Sequence, residues 1–235
     1  MMVPALALML LAGRALGSDA PEATVTGVVT LRETPSGRVR RNAARVVVWL
    51  VPRPGSASAP VSAAPRDYRM IQEDKSFVPS LLVIPVGSVV SFPNRDPWFH
   101  NVFSLYRGQR FDLGLYEAGA TRRVRFNRPG VSYLFCNIHP QMAAVIVTVA
   151  TEFFGISDRH GRILIAGVPA GNYVLHVWSE DADAQSLRAL QRPLRVKGEA
   201  MQLPALTLVL QRSAAAEHKN LFGRDYGTAA QVRTY

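Results

Sequence analysis

Short apolar runs, broken by glycine, proline and charged turns, set the pattern of this chain. Thr24-Val25-Thr26-Gly27-Val28-Val29 alternates with a period of two, and Arg45-Val46-Val47-Val48-Trp49-Leu50 suits a buried strand. Residues 24–52 therefore read as a hairpin or strand pair. Residues 52–65, rich in Pro, Ala and Ser, predict a linker or exposed loop. A second block of strand signals follows at 80–84, 88–92, 121–126, 131–136 and 143–149, with Asn127-Arg128-Pro129-Gly130 as a turn. A third block predicts strands at 153–156, 162–166, 172–178 and 203–210. Its turns are Asp158-Arg159-His160-Gly161 and Val168-Pro169-Ala170-Gly171, and one short helix falls within 183–192. The tail from Ser213 is polar and is expected to pack loosely. Many short strands at close spacing predict an all-β protein, an antiparallel sandwich or barrel.

Composition narrows this picture. The chain has 235 residues, 48% of them hydrophobic and 19% charged, enough for one large or two small domains and not the composition of a disordered chain. Residues 1–17 read as an export signal: an apolar run from Val3 to Ala12, then the small-residue end Ala15-Leu16-Gly17. That run is too short to span a bilayer, and no other stretch approaches transmembrane length. The formal charge of +10 is almost wholly arginine, with clusters at 38–45 and 122–128. These clusters suit either soluble outward strand faces, the favoured reading, or a surface for an acidic partner or anionic membrane. No nucleic-acid motif is present.

The chain has one cysteine, so no internal disulfide can form, and Cys136 is either an inert buried thiol or a reactive one. Cys136-Asn137-Ile138-His139-Pro140-Gln141-Met142 places thiolate, imidazole and thioether on one tight loop between two strands. His100, in Phe99-His100-Asn101-Val102-Phe103, offers a second imidazole if its loop meets the first at one end of a sandwich. Two His, one Cys and a weak axial Met suit copper: the sulfurs favour Cu(I) and imidazole also holds Cu(II). Zinc accepts Cys and His but rarely Met. His160 and His218 read as surface residues. His176 shares a strand face with Val174 and Trp178 and reads as a partly buried structural histidine. Asp112-Leu113-Gly114 reads as a turn, and Trp98, Phe99 and Phe103 as core packing or as an apolar rim at the site. No Ser-His-Asp set, phosphate loop or Cys-x-x-Cys pair is found, and a closed four-ligand site leaves no place for substrate, so an enzyme is not expected.

Cys-x2-His-x2-Met with an upstream His-Asn-Val resembles amicyanin and plastocyanin, and the wider stretch resembles bacterial plastocyanin-like proteins labelled methylamine utilization proteins. The matching pieces are Phe92-Pro93-Asn94, His100-Asn101-Val102-Phe103-Ser104, Phe111-Asp112-Leu113-Gly114-Leu115-Tyr116, Arg128-Pro129-Gly130 and Cys136-Asn137-Ile138-His139-Pro140. The resemblance covers roughly residues 66–180. It implies a Greek-key cupredoxin sandwich with one type 1 copper ion held by His100, Cys136, His139 and Met142, and Asn101 bracing the Cys loop. It further implies periplasmic electron transfer with exported partners such as a c-type cytochrome or a dehydrogenase. Two departures are Ser80 after Phe77-Val78-Pro79, where such proteins often carry His, and Gln141, where an aromatic is common.

Phe153, Ser157-Asp158, Gly161, Val168-Pro169, Gly171, Tyr173 and Val177-Trp178 of the third block, with the opening Thr26-Gly27-Val28-Val29 and the strand Val46–Leu50, resemble carboxypeptidase regulatory-like, transthyretin-type sandwiches. The organisation expected is a signal at 1–17, the first strands of that sandwich at 22–53, the copper domain at 66–150, the remainder of the sandwich at 151–210 and a polar tail at 211–235. In the alternative, the first strands pair with the copper domain's sheet. Two further functions stay open: a periplasmic copper carrier or buffer, and a surface-binding module in which the flanking sandwich does the work.

Overall fold

The computed structural model describes residues 21–54, 66–105 and 108–210. The expected export signal, most of the linker and the polar tail lie outside the described residues. Two strands open the fold, β1 (Glu22–Glu33) and β2 (Val47–Pro52). Ten follow: β3 (Asp67–Arg69), β4 (Ile71–Glu73), β5 (Ser76–Val78), β6 (Leu81–Pro85), β7 (Val89–Pro93), β8 (His100–Ser104), β9 (Phe111–Tyr116), β10 (Thr121–Arg125), β11 (Gly130–Phe135) and β12 (Ala143–Val149). The last group is β13 (Phe154–Ile156), β14 (Arg162–Pro169), β15 (Gly171–Trp178), the helix α1 (Ala184–Leu190), β16 (Arg192–Val196), β17 (Met201–Gln202) and β18 (Leu206–Leu210). The expected all-β class holds.

The strands of the middle group build one sandwich. Its larger sheet runs β6-β12-β11-β8-β9 and its smaller sheet β10-β7-β3, with β4 and β5 as a separate hairpin. The chain passes between the sheets from β6 to β7, back to β8, across again from β9 to β10 and back to β11, connectivity of the Greek-key kind. Val90, Phe92, Tyr116, Phe126, Leu134 and Ile146 fill the space between.

Residues 24–52 do not form a strand pair of their own. β1 pairs antiparallel with β14 and parallel with β17 and β18, while β2 pairs antiparallel with β13 and β15 in a different sheet. No tight turn links β1 to β2, and their apolar faces meet across a shared core of Val25, Leu31, Leu50, Tyr173, Leu175 and Leu206.

The two kinds of apolar run now separate. β1 alternates because one face is buried and the other meets water. β2 and β12 are apolar without a break because both of their faces are covered. Val46, Val48 and Leu50 face one core, while Val47 and Trp49 face a second apolar layer. In β12, Ala144 and Ile146 point into the sandwich, and Val145, Val147 and Val149 join Val47, Leu81, Val83 and Trp178 in that second layer. Each fully buried Val or Leu contributes roughly 1.5–3 kcal/mol. The polar links across the same junction are Arg45 Nη1 to Ser80 Oγ at 2.7 Å and Arg66 to Glu152 at 3.8 Å. Exposed pairs of that kind contribute about 0–1 kcal/mol each, so the valine layer holds the two sheets together.

Two sequence-based expectations are corrected in this geometry. Asp112-Leu113-Gly114 lies inside strand β9 and not in a free turn. The Asp112 carboxylate accepts the Gly114 N–H at 3.0 Å, Gly114 takes φ +65°, and the pairing of β8 with β9 shifts register between Asn101 and Phe103. The turn chemistry is real but is absorbed as a bulge. His100 is the first residue of β8 and not a loop residue.

Gly161 and Gly37 both hold left-handed φ angles, +77° and +66°, but differ in surroundings. A Cβ at position 161 would lie 2.1 Å from the Val29 carbonyl oxygen, whereas at 37 nothing lies within 4 Å. Gly37→Ala is expected to cost about 1 kcal/mol from backbone strain alone. Gly161→Ala costs well beyond that, because the β1 carbonyl must move. Urea denaturation midpoints of the two variants check the order.

Candidate metal centre

Three donor atoms converge at one end of the middle sandwich. Cys136 follows the end of β11, His100 opens β8, and His139 sits in the loop that leads to β12. Cys136 Sγ lies 3.8 Å from His100 Nδ1 and 3.8 Å from His139 Nδ1, and the two Nδ1 atoms are 3.1 Å apart. His100 and Cys136 are fully buried and His139 is half-buried. This is the one cluster of His, Cys, Asp and Glu among the described residues with metal-holding spacing.

The triangle fits an ion. Nitrogen ligands sit at about 2.0 Å and sulfur at about 2.3 Å from a tetrahedral or trigonal ion of this size. With sides of 3.1, 3.8 and 3.8 Å, a point at those distances falls close to the plane of the three atoms.

The loop from Cys136 to Met142 closes on itself. The Cys136 N–H donates to the Met142 carbonyl at 3.2 Å, and the Met142 N–H donates to the His139 carbonyl at 3.0 Å. Met142 is fully buried in the sandwich core. Asn101 spans the two halves of the site. Its Nδ2 donates to Asp112 Oδ1 at 2.7 Å and to the Gly114 carbonyl at 3.2 Å, while its Oδ1 accepts the Asn137 N–H at 3.2 Å. The side chain next to one imidazole thus anchors the residue next to the thiol.

One residue in contact with the cluster was missed in the sequence, Asp96. Its Oδ2 lies 2.7 Å from His100 Nε2, the ring nitrogen away from the cluster, and it is nearly buried. The sequence signal is faint: a carboxylate four residues before a histidine, in a loop where no periodicity operates. Asn94 shapes that loop, donating from Nδ2 to the Trp98 carbonyl at 2.7 Å and accepting the Asp96 N–H at 3.0 Å. Trp98 and Phe99 are half exposed beside the site, whereas Phe103 is buried, so the aromatic trio divides between surface and core.

The electrostatics follow from burial. Desolvation pushes the Cys136 thiol up, more than the nearby backbone N–H groups of Asn101, Ile138 and His139 lower it. Without a metal it is a neutral thiol, and binding of a cation releases its proton. Burial, then the neighbouring His100 and Lys75, lowers His139 and favours its neutral, ligand-competent form. For Asp96, burial acts upward but is outweighed by the N–H of Lys75, the His100 ring and the N–H of Asp74, so it stays below the usual carboxylate range.

No family model matches this chain, and no curated protein matches it. Solved structures match part of it. A copper-containing nitrite reductase from Thermus scotoductus is 25% identical with a TM-score of 0.34, over 40% of this chain and 24% of that one, so the chain spans about a quarter of that enzyme. A purple cupredoxin from Nitrosopumilus maritimus is 25% identical with a TM-score of 0.33, over 35% of this chain and all of that one. A reduced single-site variant of amicyanin is 18% identical with a TM-score of 0.34, over 43% of this chain and 98% of that one. Among the described residues, no helix is long and apolar enough to cross a membrane.

His176 stands apart from the cluster. It stacks on Trp49 with ring centroids 5.1 Å apart and planes 10° from parallel. Burial lowers its pKa. The unfolded chain, with an ordinary histidine near 6.5, therefore binds a proton first as pH falls. The stability contributed by the neutral ring is present above about pH 6.5 and is lost as pH drops toward the depressed folded value. His176→Gln is expected to lose less stability between pH 7 and pH 5 than the parent chain, which urea denaturation at the two pH values measures.

Proposed function

We propose that this chain is an exported cupredoxin-type protein that binds one copper ion through His100, Cys136, His139 and Met142 and carries single electrons. The observation that carries this reading is the triangle of two Nδ1 atoms and one Sγ; Met142, buried on the same loop, is the fourth ligand we propose. Donor chemistry favours copper: a thiolate and a thioether suit Cu(I), and two imidazoles retain Cu(II). Zinc rarely takes a thioether. Bound copper supplies one-electron chemistry between its two oxidation states.

What the chain itself does is hold the donors still. Cys136 and His100 lie at strand ends, Asn101 ties their two segments together, and the Cys136–Met142 loop is closed by its own backbone bonds. Ligands that do not move when charge arrives give a low barrier to electron transfer. His139 is the half-buried ligand, and Trp98 and Phe99 offer apolar surface beside the site. The partners we propose are exported redox proteins such as a c-type cytochrome or a dehydrogenase, met through small transient contacts in the periplasm. Four protein ligands leave no open position for substrate, which favours a carrier over an enzyme.

We also propose that residues 22–53 and 151–210 form one regulatory-like sandwich into which residues 66–150 are inserted. The pairing of β1 with β14, β17 and β18, and of β2 with β13 and β15, supports this.

Adding one equivalent of Cu(II) to the purified protein is expected to produce an intense visible absorption from thiolate-to-copper charge transfer. Ascorbate bleaches it and reoxidation restores it. Cys136→Ser, which preserves size but not the soft sulfur, is expected to lose the band entirely. A parent chain that stays colourless rejects the reading. Colour accompanied by transfer of the metal itself to an acceptor protein assigns the copper-carrier role instead.

A further inference from the structure

Asp96 joins two features that the proposed electron carrier does not otherwise connect. The first is a strained turn. Asp74 and Lys75 link β4 to β5, and both have φ of +52°, the left-handed pair that a two-residue hairpin turn requires. Neither is glycine, so each carries backbone strain. The Asp96 carboxylate accepts both N–H groups of this turn, Asp74 on Oδ1 at 2.7 Å and Lys75 on Oδ2 at 2.8 Å. The second feature is the His100 ring, whose Nε2 lies 2.7 Å from the same Oδ2.

An ionised carboxylate only accepts hydrogen bonds. The short contact therefore requires the proton on Nε2, which leaves the Nδ1 lone pair facing Cys136 and His139. The ring cannot rotate without breaking this bond, and the carboxylate cannot follow it without releasing the hairpin. At 5% exposure, little water competes for the carboxylate.

We propose, on the basis of the copper reading above, that Asp96 is a positioning residue that fixes the Nδ1 tautomer of His100 and lowers the reduction potential of the bound ion. A carboxylate behind a ligating imidazole makes the ring a stronger donor. It also places a fixed negative charge near the ion. Both effects favour Cu(II) over Cu(I).

Partners of this kind, when removed, change metal affinity about 10- to 100-fold. If that change falls on Cu(II) and spares Cu(I), it corresponds to a rise in midpoint potential of about 60 to 120 mV, at 59 mV per tenfold for one electron. Asp96→Asn should show this rise by spectroelectrochemistry, together with a shifted charge-transfer band, and Asp96→Glu should recover part of the parent potential. An unchanged potential and band, with only lower stability, would make Asp96 a hairpin brace and overturn the proposal. If Asp96→Asn does not fold, proton–nitrogen correlation spectra of the Cu(I)-loaded parent chain decide. The expected result is a slowly exchanging Nε2–H and a metal-bound Nδ1 on His100; metal on Nε2 overturns the proposal. A parent chain that takes up no copper is a different outcome, because it rejects the copper reading itself.

Discussion

Two imidazole nitrogens and a sulfur, each carrying a lone pair, do not gather at 3.1–3.8 Å by their own preference. The rest of the middle sandwich holds them in place. Two of the three donors sit at the ends of hydrogen-bonded strands. The third is on a loop whose backbone bonds close back onto Cys136. Asn101 fastens one segment to the other, and Asp96 fixes a ring from behind. The cost of crowding the donors is met by a packed core of Phe92, Phe126, Leu134 and Ile146 a few residues away.

That core is supported from outside as well. The larger sheet of the middle sandwich would ordinarily show one face to water. Here Val145, Val147 and Val149 of β12 are covered by Val47 and Trp178 from β2 and β15. The strand that receives the chain after Met142 is therefore buried on both faces, so the loop springs from a strand packed on either side.

Much of this was legible in the sequence, and the reasons are physical. Alternation revealed β1 and unbroken apolar runs revealed β2 and β12, the last placed to the residue, whereas β3, β4, β5, β8, β9 and β16 carried no such signal. Cys136 and His139, which the structure brings together with His100, were legible because unlike donors at fixed short spacing are hard to explain as core filling. The seat of Asp112-Leu113-Gly114 in a strand was not, because its local chemistry is that of a turn and only pairing with β8 turns it into a bulge. The separation of β1 from β2 into different sheets was not, because local pattern carries no information about which distant strand will pair. Asp96 was hidden for the same reason: its role depends on a hairpin turn more than twenty residues earlier folding back to meet it.

The pairing of Val29 with Leu206 has a consequence for the order of assembly. Strand β1 is made early, yet its parallel neighbour arrives only near the end of the described chain. Contacts so far apart in sequence close slowly, because the entropy of the intervening loop is lost before they form. The pairings of the middle sandwich, the widest of them Leu81 with Val145, span shorter stretches of chain and are expected to close sooner. Strand β18 is therefore expected to dock late, as the clasp of the fold.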